Sequence, residues 1–306
     1  MIVAGKGQLP FLLPKKISNL CIMGIFDAEN PTDRIYLLLR DKEKFKNFRQ
    51  KIEEMWSKFE SLADAGFVEE FSKNFHERFW EMYLGCAFLD VGFKLDSNNE
   101  GPDLKVVSDK PAVWIEAIAV SVGTTLDKVY DADDGNAIGV PENKIILRLT
   151  HAFDEKNKKY HHYLKTGKVK PHEPCVIAIN ASQVPNSNSN SGSDPSYILR
   201  ALVPIGPEYG VVDKGSMEVV ESGFRYQPYA TKENGIEIPT TAFTIPDFSI
   251  ISAVLFSCVK IGNFPEIEGS DFLIVHNPFA TNPLPLGWFP RGGEHWVENT
   301  KVKSRR

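Results

Sequence analysis

Cysteine is scarce in this chain: four in 306 residues, at Cys21, Cys86, Cys175 and Cys258. None lies near another in sequence and three sit in apolar runs, so neither a disulfide framework nor a cysteine-based metal site is indicated. Buried, reduced thiols in a cytoplasmic protein are the expected state. Long apolar runs are missing too. No stretch approaches the ~20 residues needed to span a bilayer. The short run Leu9 to Leu13, preceded by Lys6, is interrupted by Pro10 and followed by Pro14, which does not read as a signal peptide. A membrane is therefore not an expected partner. Positive charge is not in excess: 35 Lys and Arg stand against 40 Asp and Glu, a net charge of −5. There is no global basic field to draw in nucleic acid, and any such surface must be a local patch.

Several motifs are absent. There is no Gly-x-Ser-x-Gly, no Walker loop and no dinucleotide glycine pattern, which argues against a serine hydrolase, an NTPase and a Rossmann oxidoreductase. The acidic stretch with Asp127, Asp131, Asp133 and Asp134 lacks the glycine and terminal glutamate of a calcium loop and reads as a mobile connection. His161-His162 fall on a solvated part of a helix. Glu294-His295 has no second ligand at metal spacing.

What is present is core. Hydrophobic residues make up 42% of the chain, and the length suits one large domain or two ordinary ones. Residues 34–40 are strand-like, and Asp41 is placed to cap a helix to about Leu62 with Phe45, Phe48, Ile52, Met55, Trp56 and Phe59 at helical spacing. Its basic residues (Lys42, Lys44, Lys46, Arg49, Lys51) read first as a solvated face and second as phosphate contacts. A second helix is expected over 68–91. Between Phe79 and Leu89 it is apolar almost all round, the mark of a buried helix. Glu81 lies inside that segment. A buried carboxylate there needs a partner, whether a metal or an ion pair with Arg78; Glu77 is the weaker candidate. Gly92 ends the helix. Phe93-Lys94-Leu95 reads as a short strand, Asp96 to Glu100 as a turn, and Gly101-Pro102-Asp103 leads into Leu104 to Val107.

Ala112 to Val120 is a central strand, apolar on both faces, with Glu116 its one charge. Alternation sets Trp114, Glu116 and Ile118 on one face, and Ile115, Ala117 and Ala119 on the other. Pro141-Glu142 opens a long helix to about Leu164. Ile145, Leu149, Phe153, Tyr160, Tyr163 and Leu164 form its core stripe, and Lys156 falls within that stripe where an apolar residue is expected. Arg148 lies beside the same face as a second cation candidate, and Lys158, Lys159 and Lys165 fall mostly off the stripe, Lys159 being held with Arg148 in reserve. Cys175 to Asn180 is a further buried strand. Pro185 to Pro195 is a low-complexity loop, and Ser196 to Leu202 a short helix. Strands follow: a hairpin around Lys232-Glu233-Asn234-Gly235, then Ile250 to Ile261 and Phe272 to His276. Lys301 to Arg306 reads as a frayed basic tail.

This order of elements resembles the PD-(D/E)xK nuclease superfamily, the restriction-endonuclease-like fold. The residues that carry the resemblance are Trp80-Glu81-Met82-Tyr83-Leu84, Gly101-Pro102-Asp103, Trp114-Ile115-Glu116-Ala117, Cys175 to Asn180 and Val275-His276-Asn277-Pro278. Within the superfamily the chain is similar to uncharacterised bacterial members. The resemblance implies an α/β fold: a mixed central sheet flanked by helices, an N-terminal helical extension over 1–66, a core over 67–182, a flexible loop over 183–196, and β-rich C-terminal elaboration over 197–306. It implies that Glu81, Asp103 and Glu116 bind Mg2+ (or Mn2+), a hard cation that takes oxygen ligands. The superfamily's lysine stands two residues after the strand acid, and here that position is Ile118. Some members move it to the following helix, which would make Lys156 the fourth catalytic residue. The function so implied is phosphodiester hydrolysis of nucleic acid, DNA in the first instance, with a homodimer allowed. The alternative is a catalytically degenerate protein of the same fold that serves as a binding or assembly module.

Overall fold

The computed structural model describes residues 23–96, 101–108, 110–130, 139–188, 195–299 and 301–305. Expectations for residues 1–22 with Cys21, for the turn at 97–100, for Asp131, Asp133 and Asp134 and for the run 189–194 lie outside these residues. The helices are α1 (Arg34–Asp41), α2 (Lys46–Phe59), α3 (Phe67–Phe71), α4 (Phe75–Asp90), α5 (Glu142–Lys165) and α6 (Tyr197–Leu202). The strands are β1 (Leu95–Asp96), β2 (Leu104–Val106), β3 (Val113–Ala119), β4 (Cys175–Asn180), β5 (Ile205–Val212), β6 (Val219–Tyr226), β7 (Tyr229–Thr231), β8 (Glu237–Pro239), β9 (Ala253–Ser257), β10 (Leu273–His276), β11 (Gly293–Glu298) and β12 (Lys301–Arg305).

Eight strands form one mixed sheet in the order β1-β2-β3-β4-β9-β10-β11-β12. Around its centre β3, β4 and β9 run parallel, with Glu116 beside Ile177 and Ile177 beside Val254. The outer pairs β1-β2, β2-β3, β9-β10 and β11-β12 are antiparallel. Every residue of β4 is buried, as two-sided covering of a parallel strand requires. The two faces carry separate cores. Ile115, Val176, Ala178 and Leu255 pack with α1 to α4. Trp114, Ile177, Ile179 and Val254 pack with α5 and α6. The mixed α/β architecture with a large sheet between helices is therefore as expected.

Two contacts fix the helices that matter for the site. The Trp80 indole of α4 donates to the Ala178 carbonyl of β4 at 3.0 Å. The Tyr160 hydroxyl of α5 lies 2.8 Å from the Val176 carbonyl and 3.1 Å from that of Trp114, so α5 is tied to β3 and β4 together. Gly85 sets how closely α4 approaches α2: a Cβ there would stand 2.5 Å from the fully buried Phe59 ring. Overpacking costs roughly 1–3 kcal/mol against about 1 kcal/mol gained in helix propensity. Gly85→Ala is thus expected to lower stability by about 1 kcal/mol in urea unfolding, opposite in sign to the propensity gain.

Several local expectations are corrected. Residues 34–40 are helix, not strand. The Asp33 carboxylate accepts from the backbone N–H groups of Ile35 (2.7 Å) and Tyr36 (3.1 Å) and caps α1; the run is too short for periodicity to decide. Asp41 is consequently the last residue of α1 rather than a cap, and α2 starts at Lys46 after a 3-10 turn, Glu43–Phe45. The helix expected over 68–91 is two helices, because the Ser72 carbonyl leaves the helical ladder to accept from the N–H groups of Thr32 and Asp33. The strand expected at 93–95 begins only at Leu95. Phe224 to Tyr226 belong to β6 and pair with β5, and the expected hairpin is the shorter β7-β8 pair. The tail is not frayed: Lys301 to Arg305 pair antiparallel with β11, Lys303 opposite Trp296.

Candidate active site

Three carboxylates reach the same region from three elements. Glu116 lies on β3, on the face toward α5, and is 1% exposed. Asp103 precedes β2, half-buried, and its Oδ2 accepts from the Ala117 backbone N–H at 2.6 Å. Glu81 projects from α4, next to the Trp80 anchor, and is mostly buried with 14% of its side chain exposed.

Lys156 is drawn to Glu116. Its Nζ is 2.8 Å from Glu116 Oε1, and the lysine is itself 7% exposed. This is the contact that the core-stripe position of Lys156 on α5 points to. Lys159, one turn on, donates to the same oxygen at 2.9 Å, and the Tyr163 hydroxyl donates to Oε2 at 3.3 Å. Positions 156, 159 and 163 share one helix face at spacings of three and four. Burial opposes the charge on Lys159, and the adjacent Glu116 carboxylate more than offsets it, holding its pKa above the ordinary lysine value. Burial and the Glu116 charge push the Tyr163 phenol up to about 12.

The acids influence one another through their charges. Burial pushes Glu81 up to about 7, and the charge of Asp103 adds to this against the opposing pull of Arg78. Burial likewise pushes Asp103 up to about 6, helped by Glu116 and opposed by Lys156, the Ala117 N–H and Lys159. Asp103 is thus the neighbour common to the other two. Among the described residues no three acidic, histidine or cysteine side chains are spaced to hold a metal ion as they stand. Glu81 has the Arg78 partner expected as its alternative to a metal: Arg78 Nη1 is 2.8 Å from Glu81 Oε2 and 3.5 Å from Asp64.

Glu81 and Asp103, with Lys156 and Lys159, line an open cavity of about 560 Å3. Arg148 and His151 of α5 and Gln183 lie on its wall, as does Ile118. Arg148 donates to the Ser121 carbonyl at 2.8 Å, so it stays at the rim and does not reach Glu116 in place of Lys156.

The chain matches no protein-family model, no curated protein and no solved structure. Its chemistry is therefore read from its geometry. A cavity that combines two carboxylates of raised pKa with the ammonium groups of Lys73, Lys156 and Lys159 suits a ligand with anionic oxygens held through a hard cation. Tyr163 and His151 are not singled out as site residues by the sequence. Tyr163 carries a usable signal, one helical repeat beyond Lys156 on the same face. His151 and Gln183 carry none, since only the packing of α5 and the turn after β4 brings them to the cavity. The basic helix face at 42–51 is largely engaged elsewhere: Lys51 is 2.6 Å from the buried Glu268, and Lys46 and Arg49 both approach Glu43. No helix of the described residues is long and apolar enough to cross a membrane. Cys86 and Cys175 are buried and Cys258 half-buried, all free thiols.

Proposed function

We propose that this protein is a metal-dependent phosphodiester hydrolase of nucleic acid, DNA in the first instance, on a restriction-endonuclease-like framework in which α5 supplies the lysine. The observation that carries this reading is the 2.8 Å contact between Glu116 and Lys156, the latter lining a cavity together with Glu81 and Asp103. Ile118 occupies the position two residues after the strand acid, and Lys156 brings an ammonium to that acid from another element.

Mg2+ is usually held by one or two carboxylates, with water and substrate phosphate completing its shell. Asp103 and Glu81 fit that demand: both are oxygen donors, coupled through their charges, and each is pushed toward neutrality by burial that a cation would offset. Glu116 fits less directly, because two lysines and a tyrosine already engage its carboxylate; it would serve as a ligand only by giving up Lys159. When bound, Mg2+ or Mn2+ would supply Lewis-acid polarisation of the phosphoryl oxygen and an activated water. The chain's own residues do the rest. Lys156, held by Glu116, fixes a positive charge where charge develops on the phosphoryl group, and it needs no reorganisation to do so. Lys159, half-exposed, is able to exchange Glu116 for a substrate phosphate. Arg148 and Lys73 at the cavity wall are placed to meet flanking phosphates, and affinity should then fall steeply with salt.

A second reading keeps the fold without the chemistry, as a binding or assembly module. The closed Glu116-Lys156-Lys159 group favours it, since that group satisfies itself. The two readings separate in one titration: Mg2+ or Mn2+ followed by calorimetry on the wild type and on Asp103→Asn. The hydrolase reading expects binding to the wild type at pH 8 and its loss in the variant. Equal heats for both would count for the module.

A further inference from the structure

The hairpin β5-β6 stands outside the eight-stranded sheet, as a two-stranded ribbon. Most of its residues face solvent, including Val219 (64% exposed), Val220 (63%), Phe224 (47%) and Tyr226 (76%). An isolated two-stranded hairpin is marginal in water; a third strand or a covering element is needed. The eight-stranded sheet protects its two edges. The edge strand β12 carries Lys301, Lys303 and Arg305, and the opposite edge strand β1 is two residues long. The β6 edge has no such guard beyond Arg225.

The hairpin is also the wrong charge for a phosphate backbone. Glu208, Asp213, Glu218 and Glu221 outnumber Lys214 and Arg225, which disfavours nucleic acid. It is, however, complementary to itself. Antiparallel pairing of β6 with another β6 about Gly223 sets Glu221 opposite the partner's Arg225 and Val220 opposite the partner's Tyr226. The Tyr209 hydroxyl already donates to Glu221 Oε1 at 2.7 Å, which holds that carboxylate in place. The Tyr209 ring lies across Gly223, 3.3 Å from where a Cβ would be.

We propose that this protein forms a twofold dimer through β6, its hairpin pairing with the same hairpin of a second copy about Gly223. The product is a four-stranded sheet in which Val220, Phe224 and Tyr226 of both copies share one face by alternation. Four strands meet the requirement that two do not, and Ser222 and, by register, Glu208 complete that face.

The test is sedimentation of the full chain over a micromolar concentration series. The wild type should be a dimer. Glu221→Arg and Arg225→Glu each place two like-charge pairs across the twofold and should weaken association at least ~10-fold. Mixing the two variants restores both opposite-charge pairs and should restore the dimer to within about threefold of wild type. Circular dichroism of each variant alone controls for folding. A wild type that stays monomeric, a dimer indifferent to either swap, or a mixture that fails to re-associate would each overturn the proposal; a monomer that instead captures another protein through the hairpin would do so too.

Discussion

Glu116→Gln is expected to lower stability by about 3–5 kcal/mol, the cost of leaving a buried charge without its partner. The charge left behind is Lys156, only 8% exposed in its side chain and held at the wall of the cavity. Lys159 behaves differently. Nearly half of its side chain is exposed, so it can turn to solvent, and Lys159→Ala should cost no more than about 1 kcal/mol. The pair should be non-additive. Glu116→Gln combined with Lys156→Met removes both buried charges and should recover at least half of the loss, because replacing a whole buried pair is often close to neutral. Urea unfolding of the four proteins measures this. Equal losses for the single and the double variant would mean that Lys156 is not held by Glu116.

Glu81→Gln should raise stability at alkaline pH. The carboxyl titrates at about 7 in the folded protein against an ordinary 4.5, raised by burial first and by Asp103 second. A pKa raised by folding means that the fold prefers the protonated form. The stability this contributes is fully present below about pH 4.5 and is lost as pH rises through 7. Glutamine mimics the protonated acid at every pH. The variant should therefore match the wild type at pH 4.5 and exceed it by about 3 kcal/mol at pH 8, since each tenfold change in proton affinity is worth about 1.4 kcal/mol. Asp103 is raised in the same direction by burial and Glu116, and its charge acts on Glu81, so Asp103→Asn should give a similar but not additive gain. Thermal melts from pH 4.5 to 8.5 read the effect. Under the hydrolase reading, Mg2+ or Mn2+ at pH 8 narrows the gap by stabilising the wild type alone. A variant less stable than wild type at pH 8 would show that the Arg78 ion pair outweighs burial.

The parts of this site legible from the sequence are those set by local periodicity. Glu116 stands out because a single charge in a two-sided apolar strand has few explanations. Lys156 stands out because it interrupts the core stripe of α5, and both lie where those patterns put them. Lys159 falls beside the stripe rather than in it. It reaches Glu116 because a lysine stem spans the angular gap that an apolar side chain would not. The relation among the acids is not legible. That Glu81 comes within reach of the Asp103 charge depends on how α4 seats against β4 through Trp80, a contact across 98 positions of sequence. The misread segments have the same origin. Ile35 to Leu39 has no helical or strand period over so short a run, and the Asp33 cap decides it instead. Lys301 to Arg305 looks frayed by composition, whereas alternating lysines are what an exposed edge strand carries. The break between α3 and α4 reflects a carbonyl drawn away by Thr32 and Asp33, about forty positions earlier, which no window on the helix contains.

That Asp103 and the Lys156-Glu116 pair hydrolyse phosphodiesters is tested most directly by a cleavage assay. Supercoiled plasmid, duplex oligonucleotide and single-stranded RNA are incubated with Mg2+ or Mn2+ and the wild type, Asp103→Asn or Lys156→Met. The wild type should cleave, and EDTA should abolish the cleavage. Both variants should lose at least ~100-fold, the scale of removing one group that stabilises transition-state charge. Cleavage at the same rate by all three proteins, or none by the wild type on any of the substrates, would rule the hydrolase reading out.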